Sequence, residues 1–170
     1  MRLSSKTAAR GAVIGATEAI LGMLESYLHL PIPLSELLVP TSYIKGIGKG
    51  AIIGTTIGKA IAYALGPQSP YTAAVALVDV PLTAVNSSIA YACGKYKLGD
   101  FGGKLNLSKI QAVYWPVLLN SLAISYLMTK VYNIPVDFAA ASNVVFLLLL
   151  GLQGIPQYLM LRILEKRIKE

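Results

Sequence analysis

Apolar and polar positions alternate along this chain in long blocks. Five apolar runs, roughly 8–28, 46–66, 72–94, 110–129 and 138–164, approach the ~20 residues a helix needs to cross hydrocarbon. Turn-rich stretches separate them: "GPQSP" at 66–70, "KYKLGDFGGKLNLSK" at 95–109 and "KVYNIPVD" at 130–137. No stretch is long enough to link a second domain. One segment fits neither class. Residues 29–46, "HLPIPLSELLVPTSYIKG", place three prolines and a glutamate between two of the long runs.

Charge decides how that segment is read, because basic residues collect on the cytoplasmic side of membrane proteins. Suppose it crosses as a span over 31–44, with the N-terminus inside. Then Arg2, Lys6, Arg10, Lys45, Lys49, the lysines of 95–109 and the C-terminal cluster from Arg162 to Lys169 share one side. Lys130 alone falls outside, and Lys59 lies within a span. Without the crossing, Lys45, Lys49 and the four loop lysines move outside. The pattern therefore predicts six spans in a single domain, 1–170, with both termini cytoplasmic. A re-entrant or interfacial segment is the alternative.

An extended stretch from His29 to Leu34, which contains "PIP", at ~3.3 Å per residue and a short helix from Ser35 to Ile44 at ~1.5 Å per residue together reach roughly 35 Å. Lipid cannot satisfy the amides and carbonyls of an extended backbone. This segment is therefore expected to border protein or a wet cavity in the outer half.

Composition supports a membrane protein. The 170 residues are 55% hydrophobic and 14% charged, against about 25% charged in soluble domains. The expected fold class is all-α integral membrane, multi-pass in the cell membrane, with a short, broken second span. Glu18, Glu25 and the lack of a clear cleavage site argue that the first apolar run is a retained helix, not a signal peptide. The single Cys93 and single His29 exclude an intrachain disulfide and a Cys/His zinc cluster, and no metal or cofactor is expected. The net charge of +7 is read as lysines facing anionic lipid, with no nucleic-acid partner. "GIGKGAIIGTT" (46–56) lacks the Ser or Thr that follows Gly-Lys in a phosphate loop, and no metalloprotease or hydrolase motif occurs. The chain is not expected to be an enzyme, so energy for active transport must come from elsewhere.

Polar residues inside spans are costly and mark function or pairing. On the six-span reading, Glu25 and His29 sit at the outer end of the first helix and Glu18 near its middle. Glu36 begins the short helix, Lys59 and Tyr63 lie in the outer half of the third span, and Asp79 lies in the outer third of the fourth. Asn86 and Asn120 are mid-span, Asn143 is near the outer end of the last helix, and the cytoplasmic half offers little beyond Gln153 and Gln157. Gly11, Gly15, Glu18, Gly22, Glu25 and His29 form one stripe by their 4,3 spacing.

The substrate-binding candidates are Glu25, His29, Glu36, Lys59, Tyr63, Asp79, Asn120 and Asn143. Tyr63, Tyr71 or Trp115 could stack on a planar ring. Structural alternatives stand beside them. Lys59 can pair with Glu18 or Asp79, Asn120 and Asn143 can join helices, His29 can be interfacial, and Glu36 suits a helix N-terminus. Gly46, Gly50, Gly54, Gly58, Ala62 and Gly66 form a ridge for close helix packing, and Ala8, Ala12 and Ala16 form a second ridge, either internal or for a membrane partner.

"LSELLVP" (34–40), the glycine-rich third span, "ALGP" (64–67), the aspartate in the fourth span and "YWPVLLNSL" (114–122) occur in an order that resembles the QueT-type queuosine-precursor transporters. These are substrate-binding S-components of energy-coupling factor (ECF) vitamin transporters. The resemblance implies a compact six-helix bundle that binds a small metabolite near its outer face. It also implies a transmembrane coupling protein and two cytoplasmic ATPases as partners. It carries over Glu36 and Asn120 as pocket residues, and "AARGAVIGA" (8–16) as a docking face through Ala8, Ala12 and Ala16. The chain departs from the family where "PIPL" stands in place of an arginine before Ser-Glu, and where "GLQG" (151–154) stands for an expected Gly-Glu. The expected function is the substrate-binding subunit of such an importer, for a queuosine precursor or related vitamin. The alternative is a stand-alone proton- or ion-coupled carrier.

Overall fold

The computed structural model describes residues 4–29, 33–98 and 106–169. They form six helical segments: α1 (Ser5–Leu28), a 3-10 segment (Ser35–Tyr43), α2 (Gly48–Leu65), α3 (Thr72–Tyr96), α4 (Leu107–Lys130) and α5 (Val136–Lys169). The described residues contain no strand. Helix starts follow local chemistry. Ser4 Oγ accepts from the Thr7 amide at 3.2 Å, and Asn106 Oδ1 from the Lys109 amide at 3.0 Å, which satisfies amides that a helix start leaves open.

The glycine ridge packs α2 directly on α1. A Cβ on Gly11 would lie 2.5 Å from the Gly50 carbonyl oxygen, and one on Gly15 2.8 Å from that of Gly54. Further along, one on Gly22 would meet the Ala62 Cβ at 2.7 Å. Only backbones without side chains can approach this closely. The pairs 11/50, 15/54 and 22/62 climb together, so α1 and α2 run parallel. A parallel pair needs a connection that returns the full length of the helices. Residues 29–47 are that return, and the 3-10 segment runs antiparallel to both helices. The later helices alternate. Thr55 bonds Ser87 and Tyr63 bonds Asp79, while Ser108 bonds Cys93 and Asn86 bonds Asn120. Tyr114 reaches Gly151 and Lys109 pairs with Glu165. As a result α1 begins and α5 ends at the same end of the bundle.

The returning segment differs from its expected form. Leu34 is already helical (φ −63°, ψ −34°), and the turns that follow are 3-10 rather than α. Of the extended stretch expected over 29–34, residues 30–32 lie outside the described residues, and His29 is left-handed (φ 49°). At ~2.0 Å per residue the 3-10 segment is about 18 Å long. It is buried at Ser35, Glu36 and Val39 to Ser42, as expected of a segment that lipid cannot satisfy.

Outside and inside are reversed relative to a soluble protein. Leu77, Val136, Leu152, Leu148 and Leu122 are each more than 60% exposed, whereas Glu18, Glu36, Lys59, Asn86, Thr55 and Gln157 are buried. α3, α4 and α5 are long and apolar enough to cross a membrane. α1 and α2 fall outside that set. Pro81, Pro116 and Pro156 lie inside α3, α4 and α5; packed neighbours allow such prolines in apolar helices.

Candidate functional site

The site begins where the 3-10 segment starts. Ser35 and Glu36 enter the bundle between α1, α2, α4 and α5. Glu25 of α1 holds this start, accepting from both the amide and the hydroxyl of Ser35, the latter at 3.0 Å. α5 holds the other side. Gln157 Nε2 donates to the Glu36 carbonyl at 2.7 Å, and Gln153 Nε2 donates to the Pro33 carbonyl.

Lys59 of α2 reaches the same point. Its ammonium lies 3.0 Å from Ser35 Oγ, 3.3 Å from Glu36 Oε1 and 3.2 Å from Asp79 Oδ2. An ammonium has three donors, and here each has an acceptor. Tyr63 donates to Asp79 Oδ2 at 2.7 Å. Asn120 Nδ2 donates to Glu36 Oε2 at 3.1 Å, and Asn120 Oδ1 accepts from Asn86 at 2.7 Å. One network thus joins α2, α3, α4 and the 3-10 segment around a buried cation. A buried charge needs such pairing and hydrogen bonding to be tolerated.

A cavity of about 230 Å³ opens beside this network. Glu25, Glu36, Lys59, Tyr63, Asp79 and Asn120 form its polar wall; Val75, Val78, Leu82, Ala123, Ile124, Leu127 and Leu150 form its apolar one. The carboxylates outnumber the single ammonium, whose protons are already committed. The second oxygen of Asp79 has no protein partner among the described residues. The cavity therefore offers acceptors to a ligand that brings N–H or cationic groups, with an apolar face for its body. No group of His, Cys, Asp and Glu suited to a metal ion occurs among the described residues.

Six of the expected binding residues meet here: Glu25, Glu36, Lys59, Tyr63, Asp79 and Asn120. Two do not line the cavity. Asn143 bonds Ser121 between α5 and α4, the helix-joining alternative. His29 is exposed and ends α1 in a left-handed turn (φ 49°). Tyr71 packs on Tyr132 with ring centroids 4.8 Å apart, and Trp115 is 50% exposed, so neither stacks in the cavity. Lys59 pairs with Asp79 and Glu36, whereas Glu18 is fully buried with both oxygens unpartnered among the described residues.

Ser35, Gln153 and Gln157 escaped the sequence reading as parts of the site. Pro40 is no signal for them: in a 3-10 segment its missing amide would have faced the Leu37 carbonyl, not that of Glu36.

Ala8, Ala12 and Ala16 line an apolar surface groove of about 430 Å³ with Gly11, Gly15, Gly50, Gly54 and three isoleucines of α2. No family model, curated protein or solved structure matches the chain.

Proposed function

We propose that this protein is the substrate-binding membrane subunit of an ECF-type importer for a small metabolite, a deazapurine queuosine precursor or a related vitamin. One observation carries the reading: a broken returning segment closes an acceptor-rich, half-apolar cavity inside a bundle with an apolar surface. At about 230 Å³ the cavity is smaller than the ~300–1,000 Å³ sites of drug-sized ligands, which suits a single small ring system. An aminomethyl group would meet Glu36 and Asp79, and the ring would lie along Val78, Leu82 and Ile124.

In this reading all six segments cross the cell membrane, and the lysine-rich end, with both termini, is cytoplasmic. The cavity then lies in the outer half. The groove along Ala8, Ala12 and Ala16 receives the coupling protein, which links the subunit to cytoplasmic ATPases.

A second reading, the stand-alone proton- or ion-coupled carrier, is favoured by Glu18, a buried carboxyl beside the Lys59 network with no partner among the described residues. Transport that persists without any ATPase but collapses with the proton gradient selects it.

The importer reading is tested by native mass spectrometry of the purified protein, followed by binding measurements on the retained molecule. Glu36→Gln is expected to weaken binding by roughly tenfold or more, the scale of a charged hydrogen bond, in a protein that stays folded because Lys59 keeps Asp79 as its counter-ion. Unchanged affinity removes Glu36 from the site. A protein that retains no small molecule and is stabilised by none is not a binding subunit.

A further inference from the structure

We propose that the opposite end of the bundle holds a second site, one that binds a phosphate group. A cavity of about 460 Å³ lies there between the start of α1, the turn before α2 and the end of α3. Lys45, Lys49, Lys95 and Lys97 line it, together with the hydroxyl-bearing Ser4 and Thr7. No acidic residue is among its lining residues.

The lysines converge because the fold brings two chain reversals together. Gly46 adopts φ 89° and turns the chain into α2, carrying Lys45 and Lys49. Lys97 adopts φ 48° and ends α3. The reversals are locked to each other: Gly94 lies against the Tyr43 carbonyl, and Gly48 against the Tyr91 ring. No side chain caps the first turn of α2, whose Gly48 and Lys49 border the cavity. The Gly48 amide is taken by the Ile44 carbonyl at 3.0 Å, so the helix adds only its dipole to the field of the lysines.

A solvated basic face would not need a cavity, and its lysines would find carboxylates, as Lys109 finds Glu165. Here Lys45, Lys49 and Lys97 border a concave space with no carboxylate partner among the described residues, while the Lys95 ammonium rests on Tyr96, 3.1 Å from its hydroxyl. An anion with several oxygens fits that space, and a phosphate does so best. The phosphate can come from an anionic phospholipid headgroup or from a soluble phosphate. This inference concerns a site separate from the carboxylate cavity and stands whether or not that cavity binds a metabolite.

The full chain, purified in detergent, is titrated with phosphatidylglycerol or phosphatidylcholine under native mass spectrometry. Inorganic pyrophosphate is titrated separately in a thermal-shift assay. Lys45 and Lys97 are exposed, so Lys45→Gln with Lys97→Gln leaves packing intact; Lys130→Gln, at the other end, is the control. Preferential phosphatidylglycerol binding that falls about tenfold in the double variant, and not in the control, supports the site with a lipid source. A pyrophosphate-induced rise in melting temperature, lost in the double variant alone, supports it with a soluble source. If neither probe binds preferentially, or if both respond equally in the double variant and the control, the proposal is overturned.

Discussion

The side-chain amide of Gln157 donates to the backbone carbonyl of Glu36 at 2.7 Å, across 121 positions of sequence. In this 3-10 segment the Glu36 carbonyl faces the Val39 amide three residues on, and the glutamine adds a second donor from the last helix. Gln153 of the same helix donates to the Pro33 carbonyl. Within the segment, Thr41 and Ser42 donate their hydroxyls to the Leu38 and Val39 carbonyls at 2.6 and 2.7 Å. The last helix and the segment's own side chains thus supply what lipid cannot. Replacing Gln157 by leucine keeps the bulk and removes the donor. The carbonyl keeps its 3-10 partner, so the loss is that of one hydrogen bond, about 0.5–1.5 kcal/mol. Gln157→Leu is expected to lower the melting temperature in detergent, and a variant as stable as the parent would show that the bond holds nothing.

Lys59 is the charge on which the polar core closes. Removing one partner of a buried ion pair typically costs about 3–5 kcal/mol, because the other charge stays buried without compensation. Lys59→Met leaves Glu36 and Asp79 facing each other with no cation between them. It is expected to give little folded protein. Adding Asp79→Asn removes one of those charges, so the double variant should recover part of the loss in melting temperature and in monodisperse yield. Equal yields for the single and double variants would mean that Lys59 and Asp79 are not coupled.

The six-segment order was legible because charge and apolar length agree: only one arrangement puts Lys45, Lys49 and Lys97 on the same side as Arg10 and Arg162. Glu36, Lys59, Asp79 and Asn120 were legible as site residues because polar groups in apolar helices must meet one another. Asn143 and His29 carry the same polar signal, yet Asn143 faces Ser121 and His29 ends a helix. Residue type reports the cost of burial but not the partner. Gln153 and Gln157 were placed apart from the site because depth was counted along a straight helix. Their long side chains reach a segment whose path no periodicity encodes. The 3-10 form was hidden for a related reason. "SELLVPTSY" has no helical stripe, and its conformation follows from what surrounds it.

The contact between α1 and α2 makes a sharp contrast among glycines. A Cβ on Gly54 collides with the Gly11 carbonyl oxygen and lies 3.1 Å from the Gly15 amide nitrogen. These are backbone atoms of a packed helix, so they cannot rotate away. Overpacking of this kind costs about 1–3 kcal/mol when side chains can adjust, and more where only backbone can move. Gly151 is the opposite case, with nothing within 4 Å of the place a methyl group would take. Gly54→Ala should therefore strongly reduce folded yield, while Gly151→Ala should be neutral or slightly stabilising, as alanine is the better helix former. Similar losses at both positions would mean that α1 and α2 do not touch along this ridge.

The parallel course of α1 and α2 constrains any membrane topology. If both helices cross, the chain between them must cross as well, and Lys45 lies on the opposite side from Lys130. Cys93 is 2% exposed against Ala90 and Ala112, and alanine fits that place, so a background without cysteine is available through Cys93→Ala. In it, Lys130→Cys is expected to react with a membrane-impermeant maleimide on intact cells. Lys45→Cys is expected to react only after permeabilisation, because basic residues crowd its end of the bundle. Labelling of both positions on intact cells would leave residues 29–47 on one face. The parallel packing, the sheltered cavity and the importer reading would then fall together.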